Sequence, residues 1–137
     1  MLTETFNQLE EFVKVCCTHR PEGGKFIFLG VDPAQLNGIE DLHSKWDVEY
    51  HDKYFASNLW ATYDNYSIDL VFIYEIDNSR NLIDAIYDWG PKIRGGGALA
   101  GWGYNNKKVR ENLIERIGDV PSKFPDIWAL PIVGFKT

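Results

Sequence analysis

The apolar positions of this 137-residue chain follow two periods, and the places where one gives way to the other predict the elements. Phe6, Leu9, Phe12, Val13, Cys16 and Cys17 recur at helical spacing. Thr5 and Gln8 form a capping box and Pro21-Glu22-Gly23-Gly24 ends the segment, so a helix is predicted over 5–19. KFIFLGV at 25–31 is a continuous apolar run closed by Asp32-Pro33, the pattern of a strand buried on both faces. The pattern from 34 to 67 is weaker: a short helix around 39–44, a short strand at 48–50 and a helical turn or two over 56–63. IDLVFIY, from Ile68, is the second continuous run. Asn78 or Ser79 then caps a helix with Leu82, Ile83, Ile86, Tyr87 and Trp89 along one side, stopped by Gly90-Pro91. Gly95-Gly96-Gly97 reads as a turn before the strand ALAGWGY. Asn105 or Asn106 caps a last helix to about Ile117, with Val109, Leu113, Ile114 and Ile117 inward. The proline-punctuated tail offers one or two final strands, with Pro131 confined to an edge or bend.

Buried strands alternating with amphipathic helices define a single α/β domain over 1–137: a Rossmann-like, mostly parallel sheet with helices on both faces. Right-handed crossovers bring the strand carboxyl ends to one rim, where such sheets bind ligands. Asp32, the turn at 74–78 and residues 101–105 fall on that rim.

Charge and composition narrow the partners. The net charge is −6, and the basic residues are scattered apart from Lys107, Lys108 and Arg110. A long phosphate backbone demands a basic stripe, so nucleic acid is not expected. No apolar run approaches the ~20 residues of a bilayer span, and the acidic, amphipathic MLTETFNQLEEF is neither signal nor transit peptide. Cys16 and Cys17 are neighbours whose side chains diverge by about 100° on a helix, which excludes an unstrained disulfide between them. Reduced thiols without a leader point to the cytoplasm. His19, His43 and His51 lack metal-ligand spacing, and no G-x-S-x-G elbow or G-x-x-x-x-G-K-[ST] loop supports a hydrolase or a nucleotide triphosphatase. The five Trp, seven Tyr and eight Phe serve core packing or an aromatic-lined site.

Asp69-Leu70-Val71-Phe72-Ile73, followed by Trp89, Pro91, Lys92, Gly96, Gly97, Leu99, Ala100, Gly101 and Tyr104, resembles the class I S-adenosylmethionine-dependent methyltransferases. The similarity is closest to their small-molecule and sugar O-methyltransferases, in which a DLVFIDGDH-type strand leads into W-x-P-K-L-x-x-GG-x-L-A-G-x-D-Y. The match is ungapped over the second half. Two departures accompany it. The family's acidic glycine-rich loop (E-x-G-x-x-x-G) after the first strand, where backbone must approach the cofactor closely, is missing. If Lys25–Asp32 is the family's second strand, as FLGVDP suggests, a first βα unit of ~30 residues is lost and the fold is reduced on its N-terminal side. If it is the first strand, DPAQLNG replaces the glycine loop. The second-strand alignment is preferred. The family's turn acids, moreover, fall on Tyr74, Ile76 and Gly103, leaving Glu75 and Asp77 displaced, so no metal site is expected.

The resemblance implies S-adenosylmethionine as cofactor, a small-molecule or sugar hydroxyl as acceptor, and a site drawn from the rim. Gly30, Asp32, Asp52 and Tyr74 would meet the cofactor. Asp32 would accept ribose hydroxyls, although Asp32-Pro33 is also a plain turn-forming pair. Glu75, Trp102 and Tyr104 would meet the substrate, the aromatics alternatively packing in the core. Asp77 or His51, the latter beside Asp52, would be the base. Whether the chain is active is left open by the substituted acids. The alternative is an inactive binding or assembly module of the same fold, in which a second copy covers the face exposed by the lost unit to give a homodimer.

Overall fold

The computed structural model of the protein describes residues 2–19, 22–31, 45–51, 59–74, 79–104, 106–117 and 126–131. The elements are α1 (Leu2–His19), β1 (Lys25–Leu29), β2 (Asp47–His51), a 3₁₀ turn (Leu59–Thr62), β3 (Ile68–Ile73), α2 (Ser79–Trp89), a second 3₁₀ turn (Gly90–Lys92), β4 (Ile93–Trp102), α3 (Lys107–Ile117) and β5 (Ile127–Pro131). The short helix expected around 39–44 lies outside the described residues.

The strands form one sheet in the order β2-β1-β3-β4-β5. The β2–β1, β1–β3 and β3–β4 pairs are parallel, and β5 runs antiparallel along β4. An antiparallel edge on an otherwise parallel sheet is common in doubly wound folds. Pro131, opposite Ala98, sits on that edge strand as a residue without an N–H should.

Strand alternation deals side chains to two cores. Phe26 and Phe28 of β1, Leu70 and Phe72 of β3 and Ile127 of β5 face α1, where Leu9, Phe12 and Val13 cover them. Ile27 and Leu29, Val71 and Ile73, Leu99 and Trp128 face the other way, onto Ala85, Ile86 and Trp89 of α2 and Val109 of α3. Because both faces are covered, all six residues of β3 are buried. This is the Rossmann-like α/β architecture expected from the pattern.

Several local expectations change. Gln8 does not close a capping box: α1 begins at Leu2, and the Gln8 amide donates to Asp126 Oδ2 (2.8 Å) while its oxygen accepts the Asp126 N–H (3.2 Å). That reciprocal pair ties α1 to the start of β5. Tyr87 and Ile114, assigned inward, are 66% and 46% exposed, because each lies at the margin of its helical stripe while Ile86 and Val109 take the centre. The three glycines are not a turn before β4 but part of it. Five steps of β4 from Ile93 to Ala98 pair against two of β3 from Ile68 to Leu70, a bulge that accommodates the extra residues. Gly96 adopts φ +89° there, and a Cβ on Gly97 would collide with the Asp69 carbonyl and come within 2.8 Å of Ile93 Cγ2.

The order of strands also bears on alignment. Both neighbours of β1 follow it in the chain and lie on opposite sides, the position of the first strand in a doubly wound sheet rather than the second. That order fits the first-strand alignment of Lys25–Asp32, and it equally fits the second-strand alignment with the first βα unit lost, since removal of that strand leaves the second flanked by the third and fourth. The order 2-1-3-4-5 is one of the two common doubly wound orders, here with its last strand reversed.

Candidate functional site

The chain leaves β1 for β2 on one side and returns to β3 on the other, so strand order reverses between β1 and β3. In open α/β sheets the crevice beyond the strand carboxyl ends at such a reversal is where ligands bind. Two of the expected cofactor residues lie there. Gly30 follows Leu29 directly with φ +83°, a backbone state that side chains rarely adopt, and its N–H donates to the His51 carbonyl (2.7 Å). The Tyr74 N–H donates to the Leu29 carbonyl (2.8 Å), extending the β1–β3 ladder to the lip of the crevice.

Aromatic side chains flank this lip on the α1 side. The Tyr74 and Trp102 rings lie 6.1 Å apart at 41°, and both pack against the α1 core. Tyr104 belongs to the opposite face, packed against the α2–α3 core with Arg110 over its ring at 5.9 Å. Trp102 and Tyr104, both proposed as substrate contacts from the sequence, are thus on different sides of the sheet. Gly103, at φ +114°, turns the chain between them, and the N–H groups of Gly103 and Tyr104 both donate to the Asp126 carbonyl. Asn106, one of the two expected caps, opens α3 by accepting from the N–H of Lys108 (2.9 Å) and Val109 (3.3 Å).

His51 ends β2, in register with Leu29, and its side chain shares a face with Lys25 and Glu49. Glu49 is the hub of a network there. One carboxylate oxygen takes an ion pair from Lys25 Nζ at 2.7 Å. The other accepts the Tyr63 hydroxyl in a short hydrogen bond and lies 3.2 Å from His51 Nε2. Lys25 also reaches Asp47 at 2.7 Å and sits over the Tyr63 ring at 5.7 Å. Tyr63 is held by its ring, 5.7 Å from buried Trp89. Partial burial opposes charge on Glu49, but the bonds from Lys25, Tyr63 and His51 outweigh it and bring its carboxyl down to about 2. Burial and the Glu49 bond push the Tyr63 phenol up, and the bonds to Asp47 and Glu49 raise the Lys25 ammonium.

Glu49 and Tyr63 were not singled out from the sequence. Alternation in DVEYH places Asp47, Glu49 and His51 on one side of β2 and was the available signal. Tyr63 arrives from just beyond a 3₁₀ turn, and no period reports it. Asp32, Asp52, Glu75 and Asp77 lie outside the described residues. Among the described residues, no three of His, Cys, Asp and Glu are grouped to hold a metal ion.

The other end of the sheet is occupied by a buried carboxylate. Asp69, 2% exposed at the start of β3, accepts the Lys25 N–H at 2.8 Å, and its second oxygen lies 3.1 Å from Arg94 Nε. The latter contact is close enough for an ion pair but out of line for a hydrogen bond. Asp69 fastens β1, β3 and β4 together at their amino ends, away from the ligand rim.

No protein-family model matches the chain, and no curated protein matches it. Among solved structures it is similar to that of geranyl diphosphate methyltransferase in complex with SAM, at 9% identity and a TM-score of 0.37. The similarity covers 83% of this chain and 60% of the other, so the chain spans less than two thirds of that protein's length. A likeness that distant carries no conclusion about chemistry; the doubly wound assignment stands on the strand order. Among the described residues no helix is long and apolar enough to cross a membrane.

Proposed function

We propose that this protein is an S-adenosylmethionine-dependent methyltransferase-like protein that holds its cofactor over the β1–β3 crevice and serves a small-molecule or sugar hydroxyl. The observation that carries the reading is the position of Gly30. A glycine in the left-handed region stands at the strand-order reversal, where backbone must come close to a ligand. The resemblance over residues 68–104 supports the family reading.

The residues present fit such a group in part. Gly30 puts no side chain at the carboxyl end of β1, and the Tyr74–Trp102 pair lies on the α1 side of the strand ends. With β2 as the second strand, the ribose-binding acid of a doubly wound sheet, found about 20 residues beyond the glycine turn, falls at the end of β2, on Asp52. Asp32, three residues past the end of β1 in the sequence, is the other candidate acid. Asp77 and Glu75 follow Tyr74 and serve the acceptor. The cofactor supplies an electrophilic methyl group; the protein's task is to align the acceptor and take its proton.

Isothermal titration with S-adenosylmethionine and S-adenosylhomocysteine tests the reading. Saturable heat is expected with both, and Gly30→Val, which puts a branched side chain into a strained backbone state at the crevice, should lower the affinity at least tenfold. No heat from wild-type protein at millimolar ligand would sink the proposal.

A further inference from the structure

We infer that the acceptor of the proposed reaction has an apolar body, and that this body lies against α1, whose first turns project past the sheet as one wall of the crevice. Calling the ligand an acceptor rests on the methyltransferase reading. The wall itself rests on the course of α1 and the polarity of the rim.

Two contacts fix where α1 passes the edge of the sheet. The Phe12 ring lies 5.8 Å from that of Phe72, one residue short of the end of β3. Gln8 is bonded to Asp126, the residue before β5, and β5 begins opposite Trp102, the last residue of β4. The helix therefore runs from the carboxyl rim toward the amino end of the sheet and is level with the rim at Gln8. It begins at Leu2, six residues earlier. At 1.5 Å per residue its first turns stand ~9 Å beyond the strand ends. The stripe that seats Leu9 and Val13 on the sheet runs back in the sequence through Phe6 to Leu2, at spacings of three and four. The apolar pattern thus continues where the described strands have ended.

The strand ends beside these turns are divided by polarity. On the α1 side lie Val31, Tyr74 and Trp102. Alternation alone would send Val31 toward α2, but Gly30 at φ +83° turns the chain, and Val31 is buried in the α1 core. On the α2 side stand His51, with its Glu49 and Tyr63 contacts, and Tyr104 beneath Arg110. A ligand lying across the rim meets hydrocarbon and aromatic rings on one side and charged and hydrogen-bonding groups on the other. An aromatic or alicyclic body bearing a hydroxyl matches that division. A sugar does not, because its hydroxyls would be desolvated against Val31 and the ring of Trp102 without partners. Gln8 and Asp126 are positioning residues here. They seat the projecting turns, and the Asp126 carbonyl also accepts the N–H groups of Gly103 and Tyr104, so one residue fixes both the wall and the turn after β4.

Equilibrium dialysis of the full-length protein against 2-naphthol, and separately against methyl α-glucoside, tests the wall without any cofactor. Saturable naphthol binding is expected, with none for the glucoside at concentrations about tenfold higher. Phe6→Asp, which places a charge in the stripe beyond the rim, should weaken naphthol binding by about tenfold or more, whereas Glu11→Gln, at an exposed position of α1, should leave it unchanged. Urea unfolding establishes that each variant is folded. Should Phe6→Asp not fold, Trp102→Ala gives the same readout from the strand side. Absence of naphthol binding, glucoside binding as tight as that of naphthol, or a naphthol site indifferent to the folded variant overturns the inference. Naphthol bound at this site with no heat from S-adenosylmethionine refutes the cofactor reading and leaves the apolar wall standing; heat from S-adenosylmethionine with no naphthol site does the reverse.

Discussion

Gly101→Ala asks whether the glycine of the LAG segment is there for packing or for a ligand. A Cβ built on Gly101 would lie 2.5 Å from Trp128 Cζ2, 2.7 Å from its Cε2 and 2.8 Å from the Ile73 carbonyl oxygen. Carbon atoms in contact sit ~3.5–4.0 Å apart, so the methyl group overlaps the indole by about 1 Å. Neither neighbour can give way easily. Trp128 is fully buried, and Ile73 is paired with Gly101 across two central strands. Overpacking of this kind costs about 1–3 kcal/mol, and the upper half of that range is expected because one of the obstructing groups is backbone. Trp128→Phe should relieve the overlap. Among the described residues no acceptor meets the Trp128 indole N–H, so that change costs packing without breaking a hydrogen bond. Urea unfolding of the two single variants and the double variant gives the coupling. The double variant should be more stable than the sum of the singles predicts by about 1 kcal/mol or more. Gly101→Ala within about 0.5 kcal/mol of wild type, the range of an ordinary surface change, would refute the packing account.

Arg94→Met removes the cation beside a buried carboxylate; breaking such a pair costs about 3–5 kcal/mol, and with Arg94 45% exposed about 2 kcal/mol is expected by urea titration, with Asp69→Ala costing more. Glu49 makes stability depend on acid: its folded value of about 2 lies below the ordinary 4.5, so its contribution is complete above pH 4.5 and is lost as pH falls toward 2. The difference amounts to about 3 kcal/mol at most and, with the side chain 31% exposed and screened by water, about 1–2 kcal/mol; the pH slope of thermal stability in this window should shrink in Glu49→Gln. Asn106→Ala should cost about 1 kcal/mol through loss of the α3 cap, and Asn106→Asp should be close to neutral, both read by thermal melting.

What the sequence makes legible follows the range of the interaction responsible. β1 and β3 are plain in KFIFL and IDLVFI because a strand covered on both faces is apolar throughout, a property written into consecutive residues. The centres of the α2 and α3 stripes are legible for the same reason. Their margins are not: Tyr87 and Ile114 are exposed because the width of the buried stripe is set by the partner surface. Gln8 satisfies the local capping rule and yet bonds Asp126, 118 residues away. The glycine run reads as a turn, since nothing nearby reveals that the Asp69 carbonyl will press against Gly97. The His51 network divides similarly, with Glu49 recoverable by alternation along β2 and Tyr63 only from the fold.

The same division explains why residues 68–104 can resemble a family so closely and still leave the reaction open. The matching positions have structural duties. Asp69 fastens three strands at their amino ends, Gly96 and Gly97 permit the bulge opposite it, and Gly101 makes room for Trp128. Trp89 fills the α2 side, and the carbonyls of Pro91 and Lys92 accept the N–H groups of Tyr66 and Ser67. The departing positions, Tyr74, Ile76 and Gly103, lie from the strand ends onward, where a fold constrains residues least and a substrate most. Any chain preserving this bulged, doubly wound sheet would meet the first set of demands whatever it catalysed. Chemistry has to be sought at the carboxyl rim instead. There His51 ends β2, and Glu49 and Tyr63, farther back along the sheet face, hold its ring by contacts that strand pairing does not require.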